Sequence, residues 1–173
     1  MSIIPEKGNN FRVYLEGSTL LGIAEGDFPN GELMTSDVKG AGIAGVINSP
    51  TLGHMNRLTC VFTWRNITED FIKLIQSDAH SLDIYAEQQD FDAGRGVYKT
   101  RSIHVFMKAI TKQYNLGKLV VGDSTETQST HEIYYMKLYI DGKEKIELDK
   151  YNFVYKINGY DYLQNTRRNL GMY

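Results

Sequence analysis

The sequence predicts a mainly β fold: an antiparallel two-sheet sandwich or barrel-like domain with one short flanking helix. Three observations predict it. Residues Arg57–Arg65 alternate between apolar and polar side chains, with Val61 as the exception, as half-buried strands do. Turn signals at Asp141-Gly142 and Asn158-Gly159 each join two β-prone segments. The strand–helix–strand alternation of parallel sheets is missing from the 173 residues, a length that fits a single domain, 1–173.

The first predicted elements are a hairpin and a long irregular segment. Phe11–Leu15 and Thr19–Ala24 are β-prone runs on either side of the turn signal Glu16-Gly17. Glu25–His54 is rich in glycine and has no sustained periodicity. This pattern predicts an extended loop over about residues 25–54, with one strand near Leu33–Lys39.

A strand with one buried face and a short helix come next. The apolar side chains of this strand that share a face are Leu58, Cys60, Phe62 and Trp64. Cys60 is therefore predicted to be a core residue rather than a nucleophile, and as the only cysteine it has no intrachain disulfide partner. Thr68–Ile75 changes to helical spacing with Thr68 as N-cap, so we expect a short helix that docks on a sheet.

The second half of the chain reads as hairpins. Ser81–Phe91 and Val97–Tyr114 are predicted to pair with each other, and Asp123–Thr130 is predicted to be a polar loop. A double hairpin over about residues 131–163 follows, with its two turns at Asp141-Gly142 and Asn158-Gly159. A terminal turn of helix ends at Gly171, and the whole chain contains about eight or nine strands.

Composition excludes several functional classes. The formal charge is −2, from 19 basic and 21 acidic residues. This near balance argues against a protein that binds nucleic acid tightly. The N-terminus lacks the apolar region of a signal peptide, and no apolar run approaches the ~18 residues of a membrane span. We therefore expect a soluble protein that is made in the cytoplasm.

Catalytic and cofactor motifs are missing or out of context. Gly40-Ala41-Gly42-Ile43-Ala44-Gly45 fits the pattern G-x-G-x-x-G, but the residues up to Pro50 do not start a helix, so we predict a tightly turning loop rather than a dinucleotide site. The four histidines lack metal-ligand spacing: His54, His80, His104 and His131. The sequence predicts no enzyme, no metal and no cofactor.

Short motifs with a recognisable pattern are distributed along nearly the whole chain. The C-terminal motifs are Tyr139–Glu144, Ile146–Asp149, Ile157–Asp161 and Arg167–Gly171. The upstream motifs are Asn10-Phe11, Val13–Leu15, Gly40–Gly45, Ser49–Gly53 and Trp64-Arg65. Together these motifs resemble those of the major tail tube proteins of contractile-tailed phages and R-type bacteriocins such as pyocins.

The resemblance implies a structural subunit. Proteins of this family form hexameric rings in which inner strands build a continuous β-barrel around a lumen, and the rings stack into a tube. A contractile sheath surrounds the tube, and baseplate and tail terminator proteins lie at its ends. Contraction drives the tube through a target envelope, and phage DNA passes through the lumen. The resemblance thus implies a virion, or a phage-tail-like particle, as the location.

The resemblance also implies roles for particular residues. The segment 25–54 is expected to contact neighbouring subunits and rings through Gly40, Gly42, Ile43, Gly45 and Pro50. Scaffold or interface roles are expected for Asp141, Gly142, Asn158, Gly159, Arg167 and Arg168. Arg167 and Arg168 either suit the dipole of a terminal helix or pair with acidic loops of another subunit. Because DNA must not stick, lumen-facing side chains are predicted to be polar or acidic rather than basic.

Two alternatives remain open from the sequence. The first is a ring protein of a type VI-like secretion system, which neighbouring sheath and baseplate genes would distinguish. The second is a β-sandwich binding module, or a small enzyme, that does not assemble. The sequence does not distinguish an infectious phage from a bacteriocin or a prophage remnant.

Overall fold

The computed structural model describes residues 3–172, which form a single antiparallel β-sheet system with two short helices. The strands are β1 (Ile3–Leu15), β2 (Thr19–Leu20), β3 (Ile23–Gly26), β4 (Asn30–Val38), β5 (Ile47–Trp64), β6 (His80–Asp92), β7 (Val97–Asn115), β8 (Thr127–Ile140), β9 (Lys143–Asp149), β10 (Val154–Ile157) and β11 (Tyr160–Asp161). The helices are α1 (Glu69–Leu74) and α2 (Gln164–Asn169). The predicted fold class is confirmed, and the sheet is not closed into a barrel within one chain.

The sheet folds over itself into two layers. Layer I has the order β11-β10-β9-β8-β7-β6-β1-β2 and uses the N-terminal part of β7 with the C-terminal part of β8. Layer II contains β3 and β4 on one side of β5, and residues 127–132 of β8 and 110–115 of β7 on the other side. Register shifts beside Ala109 and between Thr111 and Gln113 mark where the two shared strands pass between the layers.

The core lies between the two layers. The face of β5 predicted to be buried is buried, and Phe62 and Trp64 are among the largest buried side chains. From layer I, Val13, Ile84 and Val105 pack into the same cluster. Helix α1 begins as predicted: the Thr68 side chain accepts a hydrogen bond from the Phe71 N–H, and Phe71 and Leu74 are buried.

The predicted hairpin turns are confirmed. Asp141 and Gly142 have φ values of 48° and 74°, and Asn158 and Gly159 have 48° and 83°. Two successive positive φ angles are those of the type I′ turn, which matches the twist of the strands it joins. Glu16 and Gly17 also have successive positive φ angles, so this turn type occurs at three places within residues 3–172.

Two sequence predictions of irregular structure are wrong. Most of the predicted extended loop Glu25–His54 belongs to β4 and β5, which pair from Asn30↔Thr59 to Val38↔Ile47. Its periodicity is weak because nearly all of these residues are exposed on both faces. The strand expected near residues 33–39 overlaps the second half of β4, which ends at Val38. The predicted polar loop Asp123–Thr130 ends early, because β8 begins at Thr127. The small polar side chains of Thr127 and Ser129 are buried and have hydrogen-bond partners.

Candidate assembly surfaces

A long hairpin extends beyond the core. It consists of residues 30–57, from β4 and the first part of β5, and we call it the arm. At its tip only residues 39–46 are irregular. The exposed large apolar residues of the arm are Met34, Val38, Ile43, Val46, Ile47 and Leu52. An exposed two-stranded ribbon with this much apolar surface is rarely stable alone in water, which indicates that the arm is covered in an assembly.

The glycine-rich motif lies at the tip of the arm. Gly42 and Gly45 have φ values of 92° and 133°, which only glycine adopts readily, and both are exposed. Ile43 lies with them in the irregular tip, whereas Pro50 lies in β5, opposite Thr35. The motif therefore shapes a turn, and the element directly after it is strand β5 rather than a helix.

Layer II has an unpaired strand at each edge. In residues 3–172, β3 and β4 pair only with β5, and residues 110–115 of β7 pair only with β8. Every pairing in the layer is antiparallel, so β4 and β7 run in opposite directions. Copies related by rotation would therefore continue the antiparallel pattern when one copy's β7 lies beside the next copy's β4.

The edges of layer I are less suited to pairing. Along β1, Pro5 has no N–H, and the register shifts after both Pro5 and Gly8. The opposite edge is β11, which has two residues and leads through Leu163 into α2. The edge of β7 in layer II, by contrast, has one register shift, between Thr111 and Gln113.

The outward face of layer II, which we call the polar face, has little charge. Residues paired directly across strands share a face, so the register identifies its members. They are Glu25, Asn30, Thr59, Val61, Thr63, Ile110, Gln113, Asn115, Gln128, Thr130 and Glu132. Lys112 and Lys150 lie 3.3 Å and 2.9 Å from the carboxylate of Glu132. Burial raises the pKa of Glu132, but hydrogen bonds from Lys150 and from the Leu58 N–H lower it overall.

The outward face of layer I, which we call the aromatic face, differs in chemistry. Tyr85 and His104 stack with ring centroids 4.3 Å apart, and Tyr14 and Tyr139 extend this row on either side. The His104 Nε2 lies 2.7 Å from Asp83 Oδ1. Tyrosine is enriched at protein-contacting surfaces.

A buried polar chain connects β5, β7 and β8 inside layer II. The Trp64 indole donates a 2.9 Å hydrogen bond to Ser129 Oγ, which lies 2.9 Å from His131 Nε2. The other ring nitrogen of His131 lies 3.0 Å from Thr111 Oγ1, and that hydroxyl donates to the Leu74 carbonyl. These contacts tie α1 and the free-edge strand β7 to the centre of the layer.

The subunit is expected to lose stability in mild acid because of His131. Burial, with a smaller contribution from His80, lowers its pKa from 6.5 to about 4. Between these values the unfolded chain binds a proton that the folded chain does not, so the free energy of unfolding falls as the pH falls. From pH 6.5 to pH 5 the wild type should lose about 2 kcal/mol more than His131→Gln, measured by urea unfolding of dilute subunit. Equal losses in both proteins would contradict this role.

The C-terminal residues hold their own hairpins together. The Arg167 guanidinium donates to the Phe153 carbonyl at 2.7 Å and to the Asp161 carboxylate at 2.5 Å, which lowers the pKa of Asp161. These bonds favour a scaffold role for Arg167. Arg168 is exposed in the same last turn of α2, where a cation suits the helix dipole.

Chemically reactive groups do not cluster in the described part of the chain. Residues 3–172 contain no group of three or more side chains suited to hold a metal ion. Cys60 is buried, its Sγ lies 3.7 Å from Met107 Sδ, and burial raises its pKa to about 12. Neither α1 nor α2 has the length and apolar character needed to cross a membrane.

Comparison with known proteins gives two matches of nearly full length. A family model described as phage tail tube protein FII matches residues 5–171. The tail tube protein of Escherichia phage P2 is 26% identical over 176 residues, which cover 98% of this chain and 99% of the phage protein. These matches agree with the resemblance that the sequence motifs predict.

Proposed function

Because the chain belongs to the phage tail tube protein FII family, and is thus a structural tail tube subunit, we propose that it closes into hexameric rings through layer II. The observation that carries this proposal is the pair of free edges, β3 with β4 on one side and residues 110–115 of β7 on the other. Pairing these edges between neighbours removes both from solvent and joins the layers into one closed barrel.

In this proposal the polar face lines the lumen. Its charged members are Glu25, Glu132 and Arg57, which lies beside Thr59 on β5, and Lys112 in the adjacent bulge already pairs with Glu132. A wall of threonine, glutamine and asparagine offers phosphates few cations, so DNA passes without being held. The aromatic face then lies on the outside, toward the contractile sheath, while baseplate and tail terminator proteins meet the two ends of the tube.

The arm reaches the next ring in the stack. Its exposed apolar residues and its glycine-rich tip, with Gly40, Gly42, Ile43 and Gly45, become buried against neighbouring copies. Pro50 lies where the arm passes the C-terminal hairpins, and Arg168 is available for contact with another subunit. Burial of apolar surface supplies the driving force for stacking.

Shortening the arm is expected to prevent tube growth. Val38 pairs directly with Ile47, so an Asn-Gly turn in place of residues 39–46 closes the hairpin without changing its register. Negative-stain microscopy should show rings or short stacks instead of long tubes, with an unchanged circular dichroism spectrum. Val97→Ser, at an exposed apolar residue on another hairpin, is the control and should form normal tubes. Long tubes from the shortened chain would contradict the proposed arm contact.

A further inference from the structure

The loop between β7 and β8 presents apolar side chains to solvent. Leu119 is 93% exposed and Val121 is fully exposed, the highest values among the large apolar residues of the described chain. We call residues 116–122 the apical loop. Side chains exposed to this degree within one short segment are unusual for a surface that stays in water.

The apical loop is held in shape by its backbone. The Lys118 N–H donates to the Thr125 carbonyl at 2.8 Å, and the Asp123 N–H donates to the Val120 carbonyl at 3.3 Å. Gly117 has φ +81°, and a Cβ at this position would lie 1.8 Å from the Thr125 oxygen, so only glycine allows this close approach. The loop is therefore a preformed projection, which lowers the entropy cost of docking.

An apolar groove lies beside the arm, and we call it the arm groove. Its lining residues are Leu33, Pro50, Leu52, Tyr155, Ile157 and Tyr162, around a volume of about 500 Å³. The groove is also preformed. Leu163 packs so closely on Gly53 that a Cβ atom at residue 53 would lie 2.6 Å from the Leu163 side chain. Arg167 of α2 donates a hydrogen bond to the Asp161 carboxylate, which holds α2 against the C-terminal hairpins.

The two features lie at opposite ends of the molecule. The Thr125 N–H and side chain anchor the apical loop to the Arg65 carbonyl, directly after β5, whereas Leu52 of the groove lies near the start of that strand. At ~3.3 Å per residue, the 13 positions between residues 52 and 65 span roughly 40 Å. The apical loop of one subunit therefore cannot reach the arm groove of the same subunit. A contact between loop and groove joins two subunits head to tail along the direction of β5.

We infer that the apical loop of one subunit docks in the arm groove of a subunit in the adjacent ring, with Leu119 and Val121 against Leu52 and Tyr162. This inference rests on the proposed stacking of rings and adds to it a second axial contact beside the arm. A head-to-tail contact that does not close on itself produces an open stack, as a tube requires. Its occupant is another copy of this chain, since a preformed loop and a preformed groove recur in every subunit.

A double-cysteine variant tests the contact. Val121→Cys with Leu52→Cys should form disulfides between subunits when assembled tubes are mildly oxidised, and denaturing electrophoresis should show a ladder of covalent multimers. Each single-cysteine variant is a control and should show no ladder. Native Cys60 is buried and stays in place. Tubes that form normally without a ladder would overturn the docking inference and leave the tube function standing, whereas a wild type that forms no tubes would overturn both.

A charge substitution provides an independent readout. Val121→Asp should raise the protein concentration needed for tube formation at least tenfold without changing the thermal unfolding of the dilute subunit. Leu20→Asp, at a residue 51% exposed on another surface, is the matched control. Assembly of Val121→Asp at the wild-type concentration would overturn the inference.

Discussion

We expect a proline at Gln113 or at Tyr114 to abolish tube assembly, with one of these two variants folded like the wild-type subunit. Both residues lie on the free edge of β7, and neighbouring residues of a strand direct their N–H groups to opposite sides. One of the two N–H groups therefore points toward β8 and the other toward the adjacent subunit. Proline at the outward position removes a donor that only the ring uses.

The measurements are circular dichroism for folding and sedimentation with negative-stain microscopy for assembly. Proline at the position whose native N–H faces β8 should destabilise the subunit itself, which separates the two positions. Glu6→Pro is the control. Glu6 is the unpaired residue between Pro5 and Lys7 on β1, an edge that takes no part in the proposed ring contact. Normal tubes from the variant that stays folded would show that the ring does not close through β7.

Trp64→Ala is expected to cost the subunit about 3–5 kcal/mol of its free energy of unfolding. Trp64 has no exposed surface, packs edge-on against Phe71 with ring centroids 5.5 Å apart, and donates to Ser129. Its removal leaves a cavity between β5 and α1, and it takes away the first member of the polar chain that reaches His131. Chemical denaturation of dilute subunit measures the change without a contribution from assembly.

Ser129→Ala separates the hydrogen bond from the packing of the indole. It leaves the Trp64 N–H buried without its acceptor and should cost about 1–3 kcal/mol. If Trp64→Ala cost no more than Ser129→Ala, the indole would not be a main support of the core.

The strands with one buried face were predictable from the sequence. Leu58, Cys60, Phe62 and Trp64 alternate with residues that are polar except for Val61, and the structure buries all four. The hairpin turns were predictable as well, because Asp-Gly and Asn-Gly favour two successive positive φ angles. Both signals are local, so a single segment contains all the information needed.

The arm and the start of β8 were not predictable in this way. The strands of the arm are exposed on both faces, so they lack the alternation that identifies a strand. Thr127 and Ser129 read as loop residues, but their hydroxyl groups have partners in the Leu116 carbonyl and the Trp64 indole. The Trp64 indole is 65 residues from Ser129 and the Leu116 carbonyl is 11 residues from Thr127, so a burial that depends on them has no local signature.

The assembly surfaces were predictable only in part. The glycine-rich motif indicated a special loop, and the structure locates it at the tip of a paired hairpin. The free edges could not be found in the sequence, because they depend on β5 pairing with β8 across more than sixty residues. The same non-local pairing defines the polar face, whose members alternate with core residues on several strands.

The most direct test of the proposed ring is an electron cryomicroscopy reconstruction of tubes assembled from the purified chain at increasing concentration. We expect hollow tubes in which β4 of one subunit pairs with residues 110–115 of β7 of the next, and in which Thr59, Thr63 and Thr130 face the lumen. A chain that stays monomeric, or a lumen lined by Tyr85 and His104 of the aromatic face, would contradict the proposed ring.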